Sequence, residues 1–211
     1  MPLMWIFWRI FQNDLGIGLG ANPVEMVNRY LGDWALRFTL IVLSITPIVE
    51  ITGWIKLNRF RRMIGLFAFT YAFLHVSNYI IADQFLNWAD IWADIKKRSY
   101  ITVGLISFII LIILAITSPK KAVKKLGAKR WRKLHQSIYI ASIAAVVHYW
   151  MMVKGDYTNP LFYSVFLFLL LSYRIVRYFK NNFLEKNRAR FSYNTVKELN
   201  SIQTQKNSNN I

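Results

Sequence analysis

The chain contains three histidines, and all three lie in or at the ends of long apolar segments: His75, His135 and His148. Ionisable side chains are costly inside a bilayer, so their presence there is by default a sign of function. Neutral imidazole is also a good axial ligand for haem iron. A single such histidine is explained equally well by a hydrogen bond to a neighbouring helix, but three out of three favour a ligand role.

Helix register predicts that His75 and His148 lie at the same depth in two parallel helices. His75 follows Arg62 by thirteen residues and His148 follows Lys133 by fifteen. At about 1.5 Å per residue, each histidine lies roughly 20 Å from the start of its helix. One histidine from each of two helices at one level would clamp a porphyrin with both axial positions filled. The spacing therefore predicts a bis-histidine haem site.

His135 precedes His148 by thirteen residues on one predicted helix, so the two cannot hold the same iron. If His135 is a ligand, it belongs to a second site at the opposite end. The position matching His135 on the partner helix is Arg62, with Arg61 beside it. Arginine is a poor metal ligand but pairs well with a haem propionate. A second haem and an interfacial histidine without a ligand role both stay open.

The elements that position these histidines are predicted to be membrane-spanning helices. Of the 211 residues, 55% are hydrophobic and only 18% are charged, whereas soluble domains carry about a quarter of charged residues. A helix that crosses a bilayer needs about 20 mainly apolar residues. Windows of this kind occupy residues 34–55, 63–82, 99–118, 135–153 and 161–179.

The two ends of the chain differ from these windows. The segment MPLMWIFWRIF is too short to span a bilayer and is predicted to be the last part of a truncated first helix. Residues 11–33 contain Gly16, Gly18, Gly20 and an Asn-Pro pair, a composition typical of a loop. We predict one transmembrane domain over 1–179 and a polar cytoplasmic tail over 180–211 that is partly disordered. The expected fold is an all-α, six-helix transmembrane bundle.

Lysine and arginine alternate in density along the connections between spans. Basic residues crowd the connection between the first and second full spans, the connection between the third and fourth, and the end of the chain, whereas the other connections hold few. By the positive-inside rule the basic connections and the C-terminus are cytoplasmic. The clusters are explained as topology signals that also attract anionic lipid. A docking face for a soluble partner or a nucleotide is the alternative.

Composition excludes several classes of function. The net charge of +17 is confined to clusters between apolar runs, which does not indicate a nucleic-acid-binding surface. With no cysteine, the chain cannot form disulfides, zinc-thiolate sites, iron–sulfur clusters or covalently attached haem. A Ser-His-Asp arrangement is not found either. These absences remove the cysteine-based and serine-based classes of reaction.

Several motifs resemble the MsrQ (YedZ) family, the haem-bearing membrane subunit of the bacterial MsrPQ methionine sulfoxide reductase system. The family is similar to the ferric-reductase-like transmembrane domain of NADPH oxidases. The resemblance covers roughly residues 2–179. The segments that carry it are GLGANPVEMV, TGWIKLNRFRRMIGLFAFTYAFLHVSNY, KRSYITVGLISFIILIILAITS and LGAKRWRKLHQSIYIASIAAVVHYWMMVK.

The resemblance implies a b-type haem electron-transfer subunit in the bacterial inner membrane, with one or two haems. Electrons would come from a cytoplasmic flavin reductase or from quinol and pass to the periplasmic molybdopterin subunit MsrP. It maps the family's histidines onto His75, His135 and His148, and its basic pair onto Arg61 and Arg62. It also implies FMN, for which no site is predicted. The second full span carries one histidine, His75, whereas the corresponding helix of the oxidase-like relatives carries two. The presence of a second haem therefore stays open.

The rival hypothesis is a cofactor-free proton-relay transporter or a membrane scaffold, in which the histidines would form a relay. It receives little support, because the sequence shows no pair of half-length helices interrupted by glycine or proline.

Overall fold

A computed structural model describes residues 2–13 and 22–208 of the chain, and over these ranges the regular structure is helical. The predicted all-α class is confirmed. The nine α-helices of the described residues are α1 (Pro2–Asn13), α2 (Pro23–Thr52), α3 (Phe60–Asn78), α4 (Trp88–Lys97), α5 (Ser99–Ile116), α6 (Lys120–Leu126), α7 (Ala128–His135), α8 (Ile138–Met152) and α9 (Thr158–Ser208), and a short 3-10 helix at Ile55–Arg59 precedes α3.

Helix α2 begins at Pro23, so the prediction of a loop over residues 11–33 is wrong for its second half. Asn22 caps the helix, because its Oδ1 accepts a hydrogen bond from the backbone N–H of Glu25 at 3.2 Å. Proline at the first helical position is compatible with this start. The helix ends at Gly53, whose φ of 73° lies in the left-handed region. The glycines Gly16, Gly18 and Gly20 lie outside the described residues.

Four described segments are long and apolar enough to cross a membrane: Pro23–Thr52, Ile55–Asp83, Ser99–Ile116 and Thr158–Leu184. In the structure the fourth predicted span, 135–153, is not one continuous helix. Helix α7 ends at His135, and α8 has only 15 residues, a length of about 22 Å at 1.5 Å per residue. Helix α1 has 12 residues. The predicted count of six spans is therefore not confirmed.

The chain divides into two compact units, Met1–Phe168 and Leu169–Ile211. In the first unit α2 packs most extensively against α3, and α5 against α8. A core formed by Leu31 and Ala35 of α2, Tyr71 and Ala72 of α3 and Leu111 of α5 ties the two pairs together. The second unit is the remainder of α9, whose backbone is helical through Ser208. The partial disorder predicted for 180–211 stays a prediction.

The connection from α3 to α5 forms a cap over one end of the first unit. A π-helical turn extends α3 from Tyr79 to Asp83, and Phe85 and Leu86 then adopt positive φ angles of 47° and 61°. Asp94 of α4 fixes this connection to the π-helical turn, since it accepts a hydrogen bond from the Tyr79 hydroxyl at 3.0 Å. The cap brings the start of α5 close to the end of α3.

Candidate functional site

His75 and His148 face each other inside the first unit. His75 lies near the end of α3 and His148 near the end of α8. Their ring centroids are 6.3 Å apart, and the ring planes are inclined at 81°. A metal–imidazole bond is about 2.0–2.1 Å long, so two rings that share one metal ion have centres roughly 6 Å apart. The separation of the two rings therefore fits a single ion bound between them.

One nitrogen of each ring is held by a backbone carbonyl. His75 Nδ1 lies 2.9 Å from the carbonyl oxygen of Asn28, and His148 Nδ1 lies 2.7 Å from that of Tyr100. Because a carbonyl oxygen only accepts hydrogen bonds, Nδ1 carries the hydrogen in each neutral ring. Nε2 then keeps its lone pair for a metal, which is the usual arrangement of a ligating histidine.

The two histidines line a cavity of about 430 Å³. Its walls come from α2, α3, α4, α5 and α8, and most of its surface is apolar. Its lining also includes Arg29 of α2 and Arg98 before α5, and because both side chains are half-exposed they mark the mouth of the cavity. A concave site with apolar walls and a few convergent polar groups is typical of a bound small molecule or cofactor.

Three observations test whether a haem suits this cavity. The distance between the histidine rings fits one iron. Glycines Gly32 and Gly104 replace side chains where the rings approach α2 and α5. The buried Oδ1 atom of Asn28, in the cavity wall, has no hydrogen-bond partner within the described part of the chain, which leaves a polar atom available to a bound group. The residues that line the cavity are therefore suited to hold a haem.

The two arginines at the mouth are half-exposed and already paired. Arg29 forms an ion pair with Glu25 at 2.7 Å, and Arg98 forms one with Asp94 at 3.1 Å. A hydrogen bond to the Tyr100 hydroxyl and nearby charge raise the pKa of Arg98 above its usual value, and arginine is in any case protonated at physiological pH. Both side chains can pair with carboxylates of a bound group.

His135 is not part of this cavity. Its Nε2 lies 3.1 Å from Thr117 Oγ1, and its ring stacks on Trp131 with 4.1 Å between centroids. Trp131 in turn donates a hydrogen bond to the Thr117 carbonyl at 3.0 Å. Burial lowers the pKa of His135, which favours the neutral ring. The structure thus brings together two of the three histidines and attaches the third to the end of α5.

The basic pair Arg61 and Arg62 also lies away from the cavity. Both residues are exposed in the first turn of α3, at the opposite end of that helix from His75. They do not line the cavity between the two histidines. The basic connections that hold Lys56 and Lys124 lie at this same end of the helices.

A polar cluster beside the cavity is a feature that sequence analysis missed. Arg37 Nε donates a hydrogen bond to the Tyr163 hydroxyl at 2.8 Å, and its guanidinium lies over the Trp34 ring at 5.0 Å. Arg37 NH2 is also 3.9 Å from Asp33 Oδ2. Asp33 lines the cavity. The spacing of Asp33 and Arg37 at i, i+4 was a readable signal once α2 was known to begin before them.

Comparison with known proteins identifies a matching family model and several similar proteins. A family model described as "Ferric reductase like transmembrane component" matches residues 31–154. The haem-binding subunit MsrQ of the protein-methionine-sulfoxide reductase of Rhodospirillum rubrum is 47% identical over 176 residues, which is 83% of each chain. The MsrQ of Caulobacter vibrioides is 40% identical over 82% of this chain and 81% of its own length. The magnetosome protein MamZ of Magnetospirillum gryphiswaldense is 41% identical over 87% of this chain but only 29% of its own.

Proposed function

This chain belongs to the MsrQ family of ferric reductase-like transmembrane proteins, and from that membership we propose that it is a b-type haem subunit that carries electrons across a membrane. The observation that supports this most strongly is the pair His75 and His148, whose rings face one cavity at 6.3 Å between centroids. The relatives' own name, haem-binding subunit of a protein-methionine-sulfoxide reductase, supports the same function.

In this proposal Nε2 of His75 and Nε2 of His148 would hold the haem iron. The bound haem supplies reversible one-electron transfer at its iron. The carbonyls of Asn28 and Tyr100 hold the rings in the tautomer that leaves Nε2 free. Held by these two imidazole nitrogens, the iron would have no place for a substrate, as expected for an electron-transfer subunit.

The remaining cavity residues orient the haem and exclude water. Arg29 and Arg98 pair with the two propionates at the mouth, because guanidinium groups bind carboxylates with two parallel hydrogen bonds. The apolar walls keep the rest of the macrocycle dry, and burial of this kind is one of the factors that set a haem potential. Ser107 and Tyr149 are polar residues of the wall beside this apolar surface.

We assign one haem to the described cavity. A second haem at His135, with the propionates paired to Arg61 and Arg62, stays a prediction, and the contacts of His135 with Thr117 and Trp131 give it no partner ligand within the described residues. An FMN is associated with the family and also stays a prediction. Its phosphate would suit the exposed basic end that includes Arg61 and Arg62, since guanidinium groups bind phosphate well.

The proposed topology is a six-helix bundle in which α2, α3, α5, α8 and α9 cross the membrane, while the 12-residue α1 is too short to cross it and packs beside α2. Helix α8 is included because it packs along α5, and α1 because Trp5 stacks on Tyr30 of α2 at 4.8 Å. By the positive-inside rule, the basic end is cytoplasmic and the C-terminus lies inside. The cavity then lies towards the periplasmic face of a bacterial inner membrane.

The proposed direction of electron flow is from the cytoplasm to the periplasm. The donor would be a cytoplasmic flavin reductase or quinol, and the acceptor a periplasmic molybdopterin subunit of the MsrP type that repairs oxidised methionines. The position of the cavity near the periplasmic end supports delivery to a periplasmic acceptor. The basic cytoplasmic end suits the docking of a reductase or anionic lipid.

Reoxidation kinetics test this function. The detergent-purified chain is reduced with stoichiometric dithionite and mixed anaerobically with an MsrP-type subunit and methionine sulfoxide. The proposal predicts rapid reoxidation of the haem that requires both components. A haem that stays reduced with both present would contradict the assigned acceptor, and a colourless chain from haem-replete cells would favour the cofactor-free relay or scaffold.

A further inference from the structure

The two histidines of the cavity rest on the same backbone arrangement in two different helices. His75 bonds to the carbonyl of Asn28, which precedes it by 47 residues, and His148 bonds to the carbonyl of Tyr100, which precedes it by 48. Four residues after each of these carbonyls stands a glycine, Gly32 in α2 and Gly104 in α5. A residue four positions on lies one helical turn above the carbonyl, directly beside the bonded ring.

A side chain at either glycine would crowd a histidine ring, more severely at Gly104 than at Gly32. A Cβ built on Gly32 would lie 3.2 Å from both Cε1 and Nδ1 of His75. A Cβ on Gly104 would lie 2.8 Å from His148 Nδ1 and 3.0 Å from its Cε1, and real Cβ contacts essentially never fall below 3.0 Å. The two rings therefore occupy the space that any other residue would need.

The backbone does not explain these glycines. Both lie inside α-helices, where glycine costs roughly 0.5–1 kcal/mol relative to alanine. Gly53 and Gly127 form a contrast, because they have positive φ angles of 73° and 77° and no atom within 4 Å of an added Cβ. At Gly32 and Gly104 the requirement is thus space for the imidazole ring.

We infer that Gly32 and Gly104 are positioning residues that seat the two axial histidines of the haem. Each glycine lets the Nδ1–Cε1 side of an imidazole ring lie close to the neighbouring helix, so that its Nδ1–H reaches the carbonyl one turn earlier and its Nε2 is directed away from that helix. The inference rests on the proposed haem function. It adds that the ligand geometry is set by two residues that never touch the iron.

The backbone carbonyls of Asn28 and Tyr100 can each accept two hydrogen bonds, one within the helix and one from a histidine ring. A carbonyl oxygen has two lone pairs, so Asn28 can accept from the helix N–H and from His75 at once. Partners of this kind raise the basicity of the ligand, and their loss typically lowers metal affinity about 10–100-fold. Loss of the Nδ1–H···O bond also weakens donation to iron, which raises the midpoint potential.

The unequal clearances predict unequal effects. Alanine at position 104 forces the His148 ring to move, whereas at position 32 the His75 ring needs to give only a few tenths of an ångström. We expect Gly104→Ala to lower hemin affinity about 10–100-fold, and Gly32→Ala to do so by a smaller factor. Both should raise the midpoint potential and change the low-spin electron paramagnetic resonance signal of the haem.

The experiment compares these variants with Gly65→Ala in whole detergent-solubilised protein. Gly65 is a matched control within α3, because the nearest atom to its added Cβ is a Val42 methyl carbon at 4.0 Å. Hemin titration of the apoprotein, redox titration and paramagnetic resonance are measured on each chain, with circular dichroism and gel filtration as tests of folding. Should Gly104→Ala fail to fold, the milder Gly32→Ala variant still provides the comparison.

The possible results separate this inference from the proposed function. Weaker hemin binding, a raised potential and an altered resonance signal in folded Gly32→Ala or Gly104→Ala, with Gly65→Ala like the parent, would support it. A parent chain that binds hemin while both variants match it in affinity, potential and signal would overturn the inference and leave the function standing. A folded parent chain that binds no hemin would overturn both.

Discussion

His75 lies on α3 and His148 on α8, with α4 to α7 between them in the chain, yet the centroids of their rings are 6.3 Å apart and the ring planes are inclined at 81°. Each ring is fixed independently, since its Nδ1 bonds to the backbone of a different helix. Pairing of α2 with α3 and of α5 with α8 therefore forms two half-sites. The cavity between them is complete only when the two helix pairs pack together.

The arginines at the mouth give a first prediction. If Arg29 and Arg98 pair with propionates, Arg29→Gln and Arg98→Gln should each weaken hemin binding about 10–100-fold, because a hydrogen bond to a charged group contributes roughly 1.5–3 kcal/mol. Lys97→Gln is the control, since Lys97 precedes Arg98 and does not line the cavity. Unchanged affinity in both arginine variants, measured by hemin titration, would rule out this propionate pairing.

A second prediction concerns the contact between α5 and α8. The buried Ser107 hydroxyl donates a hydrogen bond to the Ala141 carbonyl at 2.9 Å. Hydrogen bonds between transmembrane helices contribute about 0.6 kcal/mol on average, so Ser107→Ala should lower the melting temperature in detergent modestly. The control is Thr70→Ala, which removes an exposed hydroxyl that donates a hydrogen bond to the Leu66 carbonyl of its own helix. Equal melting temperatures for the two variants would contradict a stabilising role for the Ser107 bond.

The polar cluster beside the cavity gives a third prediction. Tyr163 is buried and accepts a hydrogen bond from Arg37, so Tyr163→Phe removes a partner of a charged group within a span. We expect a loss of about 1.5–3 kcal/mol in unfolding free energy. A double-mutant cycle with Arg37→Gln isolates the pair. Strictly additive effects of the two substitutions would show that the hydrogen bond contributes nothing.

The orientation of the chain gives a fourth prediction, and the lack of native cysteine makes it simple to test. Asp90 and Lys124 are both exposed, on connections at opposite ends of the helices. In intact spheroplasts, Asp90→Cys should react with a membrane-impermeant maleimide, whereas Lys124→Cys should react only after permeabilisation. The reverse pattern would invert the proposed topology and place the haem near the cytoplasm.

The pairing of the two histidines was predictable because it depends mainly on their distance along the chain from the basic residues before each apolar segment. Counting residues from Arg62 and Lys133 places His75 and His148 at similar depth, although the count from Lys133 crosses the turn between α7 and α8. The same count separates His135 from the pair. In the structure its ring is stacked on Trp131 at 4.1 Å.

Other features depend on contacts that a single sequence does not display. The start of α2 was missed because the glycines before Asn22 are typical of a loop, although Asn22, Pro23 and Glu25 together form a helix start. Gly32 and Gly104 were missed because each is explained only by an imidazole ring from another helix. The break before α8 was hidden within a continuous apolar window that begins at His135.

The most direct test of the account is the haem content of the purified chain and of three alanine variants, measured by pyridine haemochromogen assay and by oxidised and reduced optical spectra. The account predicts a low-spin b-type spectrum with one haem per chain, lost in His75→Ala and in His148→Ala and retained in His135→Ala. Loss of all haem in His135→Ala, with His75→Ala or His148→Ala still carrying it, would contradict the assignment of this cavity as the haem site.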